Sequence, residues 1–251
     1  MADTNNHRIQ KFNTGGTFIT KWGTNGTSNG QFSPPEGIAV DSGGNVYVVD
    51  WGNDRIQKFD STGKFITKWG STGSGDGQLS GPNGIAADSA GNVYVTDSGN
   101  DRIQKFDNTG KFITTWGSTG SGDGQFDFPL FVAVDHTGNV YVTDRNNDRI
   151  QKFDSTGKFI TKWGSYGSGD GQFKSPGGIA VDSAGNVYVT DYNNNRVQKF
   201  DNTGEFITTW GTFGSGDGQF FYPLGIAVNL TGNVYVTDTV NNRIQIFSPT
   251  R

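Results

Sequence analysis

Apolar and polar residues alternate along this chain in runs of about five, and the runs return on a fixed period. The unit from Gly84 to Leu130 contains four of them, at Gly84–Ala87, Asn92–Thr96, Arg102–Phe106 and Phe112–Trp116. Each is rich in Val, Ile, Tyr, Phe, Thr or Trp and is bounded by Gly, Asn, Asp or Ser. That pattern predicts short β-strands, and none of the runs is long enough to predict a helix. Between strands, Asp88-Ser89-Ala90-Gly91-Asn92 and Asp107-Asn108-Thr109-Gly110-Lys111 put Asx residues and glycine where a tight reversal needs a positive φ.

The first residue of the unit stands at Gly37, Gly84, Phe131, Gly178 and Gly225, always 47 residues apart. A constant spacing of this size marks a repeat array, and four short antiparallel strands per repeat, here lettered a to d, predict one β-propeller blade. The fold class is therefore all-β, a β-propeller of four-stranded antiparallel blades in one domain spanning 1–251. Whole repeats occupy 37–83, 84–130, 131–177 and 178–224, between terminal partial repeats 1–36 and 225–251. The N-terminal part supplies strands c (Arg8–Phe12) and d (Phe18–Trp22). The C-terminal part supplies a (Gly225–Val228), b (Asn233–Thr237) and c (Arg243–Phe247).

Six full blades of this length would need more than the 251 residues present, and five need fewer. The length thus favours five blades, closed by N- and C-terminal strands that share one blade and leave no open sheet edge; six blades is the alternative. The alternation places Ile38, Val40, Val46, Val48, Ile56, Phe59 and Phe65 and their equivalents in the core. It gives Trp22, Trp69, Trp116, Trp163 and Trp210 one shared environment.

The motif G-N-V-Y-V-T-D…N-x-R-I-Q-K-F-D…G-x-F-I-T-x-W-G…G-x-G-Q-F…P-x-G-I-A-V-D resembles the NHL repeat family over essentially the whole chain. The resemblance implies a six-bladed propeller that serves as a platform for proteins and, in some members, RNA. Related propellers act as lyases or lactonases, and the resemblance ties that activity to histidine clusters or to inward acidic and Asn ligands. Here the only histidines, His7 and His136, occupy inequivalent positions. No metal, no cofactor and no catalysis are expected.

Cysteine is absent, which excludes disulfides and thiolate chemistry. A net charge of −4 gives no reason to expect nucleic acid or an anionic membrane as partner. No bilayer-spanning run and no secretory leader are read in the sequence. Asp41, Asp88, Asp135 and Asp182, with Asn229 in the fifth place, read as caps of the a–b turns rather than as a ring of cation ligands. Asp50, Asp97, Asp144, Asp191 and Asp238 each precede an Arg by five residues and read as structural ion pairs. The G-S-G-D-G-Q tails read as tight d–a connections. Such near-identity between copies is what recent duplication and consensus design both produce.

Differences between copies collect in the b–c turns and the d–a loops, which emerge on the same face of a propeller because strands alternate in direction. Trp51, Arg145, Tyr166, Lys174, Tyr192, Phe213 and Tyr222 are the candidate ligand-binding residues there, since exposed aromatics with Arg are the usual anchors of an interface. The reading is a non-catalytic scaffold for a protein or peptide. Its alternatives are a carbohydrate-binding propeller, with Trp51, Tyr166 and Tyr192 stacking on sugars, and a less favoured hydrolase or lyase. A monomer is expected, with a strand-swapped dimer as the alternative.

Overall fold

The computed structural model describes residues 1–248, and the chain divides after Gly117 into two compact units. The first unit holds the sheets β1-β2-β3 (Ala2–Asp3, Arg8–Phe12, Phe18–Trp22), β6-β7-β8-β9 (Pro35–Val40, Val46–Asp50, Arg55–Phe59, Phe65–Trp69) and β10-β11-β12-β13 (Pro82–Ala87, Val93–Asp97, Arg102–Phe106, Phe112–Trp116). A short parallel pair, β4 (Thr24–Asn25) and β5 (Gln31–Phe32), lies within a d–a loop. The second unit holds β14-β15-β16-β17 (Pro129–Val134, Val140–Asp144, Arg149–Phe153, Phe159–Trp163), β18-β19-β20-β21 (Pro176–Val181, Val187–Asp191, Arg196–Phe200, Phe206–Trp210) and β22-β23-β24 (Pro223–Val228, Val234–Asp238, Arg243–Phe247).

These are six blades among the described residues, not the favoured five, and the terminal strands do not share one. The N-terminal c and d strands keep their own b remnant, β1, and the C-terminal a and b strands keep their own c. A local ion pair decides this. Each c strand opens with an Arg that binds an Asp five residues earlier on strand b, Arg8 to Asp3 at 2.6 Å and Arg243 to Asp238 at 2.7 Å. A hairpin closed over so few residues costs little loop entropy, so b and c pair locally before a distant end can compete. Counting residues missed this, because a three-stranded blade is shorter than 47.

Strand a starts two residues earlier than its alternation suggests, at Pro82 in the second copy, and a bulge between Pro82 and Ile85 hides the start from a period-two reading. The b–c connection is a single 3-10 turn, as at Trp51–Asn53, ended by Asp54 with φ 48°. Asp and Asn tolerate this left-handed conformation, so no glycine marks it.

Val46, Val48, Ile56 and Phe59 are buried as expected, and Ile38 and Phe65 pack partly buried against them. Val40 is instead 58% exposed. The first sheet consists of strands b to d, so strand β6 has a neighbouring strand a, β10, on one side and none from the first sheet on the other. The d-strand tryptophans at 22, 69, 163 and 210 do share an environment. Each leans on the Phe of the next c strand with centroids 5.8–5.9 Å apart, and its indole N–H is buried without an acceptor.

The c–d turn glycines complete this packing. Gly110 has φ +92°, and a Cβ there would lie 2.5 Å from the Trp69 ring. Gly110→Ala is expected to lower stability by about 1–3 kcal/mol, through the left-handed backbone and the displaced indole together. Denaturant unfolding checks it, and a loss under about 0.5 kcal/mol would place it with neutral surface changes and contradict the packing account.

Candidate functional site

The face that carries the b–c turns and d–a loops is built on a buried carboxylate in each repeat. In the second unit Asp144 ends β15 with no exposed surface. It accepts hydrogen bonds from Arg149 Nε (2.7 Å), Asn147 Nδ2 (3.0 Å), Gln151 Nε2 (3.0 Å) and the Asp127 amide (2.9 Å). Arg149 then donates to the carbonyls of Ser121, Gly122 and Gln125 at 2.6–2.9 Å. Gln151 donates to the carbonyl of Gln125 and accepts from the Gly124 amide. One Asp-Arg-Gln set thereby fastens the loop 120–125 to the turn 145–147. Burial pushes the carboxyls of Asp144 and the equivalent Asp191 up, against the opposing pull of these donors. The G-S-G-D-G-Q tails are loops held by this latch.

The a–b turn carboxylates are caps. Asp135 Oδ1 accepts from the Asn139 amide (2.9 Å), and its Oδ2 accepts from Asn139 Nδ2 (2.8 Å) and the Tyr141 hydroxyl (3.1 Å). Burial works against its charge, but these donors together hold it below the ordinary carboxylate range. The same arrangement recurs at Asp41 and Asp182. Among the described residues no group of three or more His, Cys, Asp or Glu is placed to hold a metal.

On the latched frame sit the residues that differ between copies. The position occupied by Gly81 in the second copy is Phe128, Ser175 and Tyr222 in the next three, and all four have left-handed φ between 52° and 58°. Tyr222 is held there by its amide, which donates to Asn195 Oδ1 at 2.9 Å. Its ring stacks on Tyr192 with centroids 4.7 Å apart and planes within 8°. The Arg145 guanidinium lies 5.2 Å from the centroid of Tyr192. Phe221 leans on Tyr222 at 4.9 Å, and Phe213 meets Phe221 edge-on at 5.0 Å. The result is a continuous ladder, Arg145–Tyr192–Tyr222–Phe221–Phe213. Phe213 at its end is 64% exposed.

A second pair adjoins it. Lys174 Nζ lies 5.4 Å from the centroid of Tyr166, which is 66% exposed, and the Asn193 amide donates to the Lys174 carbonyl at 3.1 Å. Trp51 belongs to the first unit, 43% exposed, with its indole nitrogen near Gly81. Of the seven candidates, four thus join one ladder, two form the adjoining pair, and Trp51 stands outside both. Phe221 was missed, although it is one of two adjacent aromatics found at that place in a single copy.

The NHL repeat model matches residues 32–59, 79–106, 126–153, 173–200 and 220–247. Among curated proteins none matches. Solved structures similar in fold include a nidogen/laminin complex (TM-score 0.75, 20% identity, 98% of this chain and 87% of that chain). A streptogramin B lyase is also similar (0.68, 19%, 98% and 77%), as is a virginiamycin B lyase from Staphylococcus aureus with quinupristin (0.64, 17%, 98% and 78%).

Proposed function

The chain belongs to the NHL repeat family, and we propose that within it this protein is a non-catalytic platform that binds an acidic peptide segment of a protein partner across the ladder of its second unit. The observation that carries the reading is the stack of Arg145, Tyr192 and Tyr222 on latched loops. Large aromatics and Arg on a rigid frame supply anchoring area at low entropic cost. Tyr222 holds a left-handed backbone where another copy has Gly81. A bulky side chain kept where glycine would be easier points to function.

Charge selects the partner. The latch arginines are bound to Asp, whereas Arg145 and Lys174 form no ion pair among the described residues. Their cations lie beside rings, Lys174 also within the field of the Asp148 carboxylate, and Arg145 is the one left to meet a carboxylate of the partner. A sugar is the poorer fit at Tyr192, because its ring is already stacked on Tyr222 and approached by the Arg145 guanidinium. The similarity to a propeller solved in a nidogen/laminin complex supports a protein-binding role. The lyase neighbours share the fold, but the repeated carboxylates here are taken up as acceptors by latches and caps.

A displayed peptide library and a glycan array, both read with Arg145→Ala and Tyr192→Ala, test this. Acidic peptides are expected to be enriched, and each variant to weaken them by about 30-fold, the scale of a hot spot. Tyr222→Gly should weaken binding while leaving folding intact, since Gly81 serves that position in another copy. Glycan binding lost with the same variants, or peptide binding indifferent to them, overturns the proposal.

A further inference from the structure

Trp51, which stands outside the ladder, belongs to a second site that lies wholly within the first unit. Two positions define it, the second residue of strand a and the first residue of the b–c turn. In the second copy these are Asn83 and Ser98, and their side chains touch. Asn83 Nδ2 donates to Ser98 Oγ at 3.0 Å and to the Gly81 carbonyl at 2.9 Å. In the first copy the same positions hold Glu36 and Trp51, so both departures fall in one repeat. A neutral pair with its hydrogen bonds made is replaced by a carboxyl group beside an indole.

The carboxyl of Glu36 has no hydrogen bond or ion pair among the described residues, and burial pushes it up to about 7. A carboxylate withdrawn from water without a counter-charge opposes folding. The neighbouring chain offers none. The turns 51–53 and 98–100 and the loops 23–36 and 70–83 contain no Lys or Arg. The arginines that follow the turns, Arg55 and Arg102, are bound to Asp50 and Asp97. Asp54, the other acid beside Trp51, accepts from the Gly81 amide (2.8 Å) and the Thr72 hydroxyl (2.7 Å) and adds only negative charge. The indole itself is half exposed. In the second unit Tyr222 covers one face of Tyr192, whereas the equivalent Gly81 has no side chain with which to cover Trp51.

We propose that Glu36 and Trp51 form a binding site for an organic ammonium ion, the alkylammonium head of a free amine or of a lysine side chain. The ammonium supplies the counter-charge that Glu36 lacks and donates to its oxygens. The indole takes the cation against its face, and tryptophan is the best of the aromatic residues for this contact. A carboxyl group with a displaced proton affinity, beside an exposed aromatic, is what a ligand site keeps at the expense of stability. This site shares no residue with the aromatic ladder and selects the opposite charge, so either proposal can fail alone.

The test uses the whole protein at pH 8, where Glu36 is ionised, at constant ionic strength. The probes are n-butylammonium chloride and a doubly capped lysine, N-acetyl-lysine methylamide, titrated by calorimetry. Expected is one-to-one binding of the ammonium head, with no binding of uncharged n-butanol. Glu36→Gln and Trp51→Ala should each weaken it at least tenfold, the scale of a desolvated cation–π contact. Trp51→Phe, which keeps a ring, should weaken it less than Trp51→Ala, and Arg145→Ala in the ladder should leave it unchanged. Tighter binding of the capped lysine by tenfold or more assigns the site to a lysine-bearing partner, and equal binding assigns it to a free amine. Binding that is the same in Glu36→Gln, or in Trp51→Ala, overturns the proposal. So does displacement of the amine by an equal concentration of sodium ion, which would mean unspecific attraction to negative charge, or the lack of saturable binding of either probe.

Discussion

Asp144→Ala is expected to lower the unfolding free energy by about 3–5 kcal/mol, the range for breaking a buried ion pair from one side. The carboxylate has no exposed surface, and the Arg149 side chain it binds is only 7% exposed. Alanine would leave a buried guanidinium Nε, the Asn147 and Gln151 amides and the Asp127 N–H short of an acceptor at once. Each buried donor left unpaired costs about 1–3 kcal/mol, more when charged. Burial raises the Asp144 carboxyl, so the charge itself opposes folding, and the hydrogen bonds that fix the loop are what is lost. Loop 120–125 should therefore exchange its amides faster in the variant. Substituting Arg149 by Met as well should recover part of the loss, because a buried pair replaced whole by apolar groups is often near neutral. Chemical denaturation of the parent, single and double variants decides it. A single-variant loss under about 1 kcal/mol, which is no more than an exposed pair contributes, would remove the latch as the organiser of this face.

Much of this frame was legible in the sequence. Strands c and d fall at Arg102–Phe106 and Phe112–Trp116 as the alternation places them, because glycine turns bound both. The latch was legible as a five-residue Asp–Arg spacing, though not its further reach to the loop carbonyls, which only three dimensions bring near. The blade count failed for the same reason: length does not record that Asp238 and Arg243 keep β24 with its own b strand. The site was half legible. Differences between copies picked out Arg145, Tyr192, Phe213 and Tyr222, but nothing in their spacing says that Tyr192 and Tyr222, thirty residues apart, stack face to face. Left-handed Tyr222 and Phe128 were invisible, since only the copy with Gly81 announces the conformation.

Glu36→Gln is expected to stabilise the protein near pH 8 and to have little effect near pH 4. Glu36 is the second residue of β6, where the other copies have Asn83, Leu130, Gly177 and Leu224. Asn83 donates to the Gly81 carbonyl (2.9 Å) and the Ser98 hydroxyl (3.0 Å). Trp51 replaces that serine in the turn packed against β6, and Glu36 has no hydrogen bond or ion pair among the described residues. Burial pushes its carboxyl up to about 7 from 4.5. The folded state therefore binds a proton more tightly than the unfolded chain. That favours folding fully below about pH 4.5, and the advantage is lost as pH rises through 7. A tenfold difference in proton affinity corresponds to about 1.4 kcal/mol, and the partial exposure of the side chain reduces the sum, leaving about 1–2 kcal/mol at pH 8. Glutamine stays neutral throughout, so the difference between variant and parent stability should open between pH 5 and 7.5 and then level off. Denaturation midpoints across that range read it directly. A difference curve that is flat, or that opens only on the acid side, would mean that Glu36 is solvated and carries no such charge penalty.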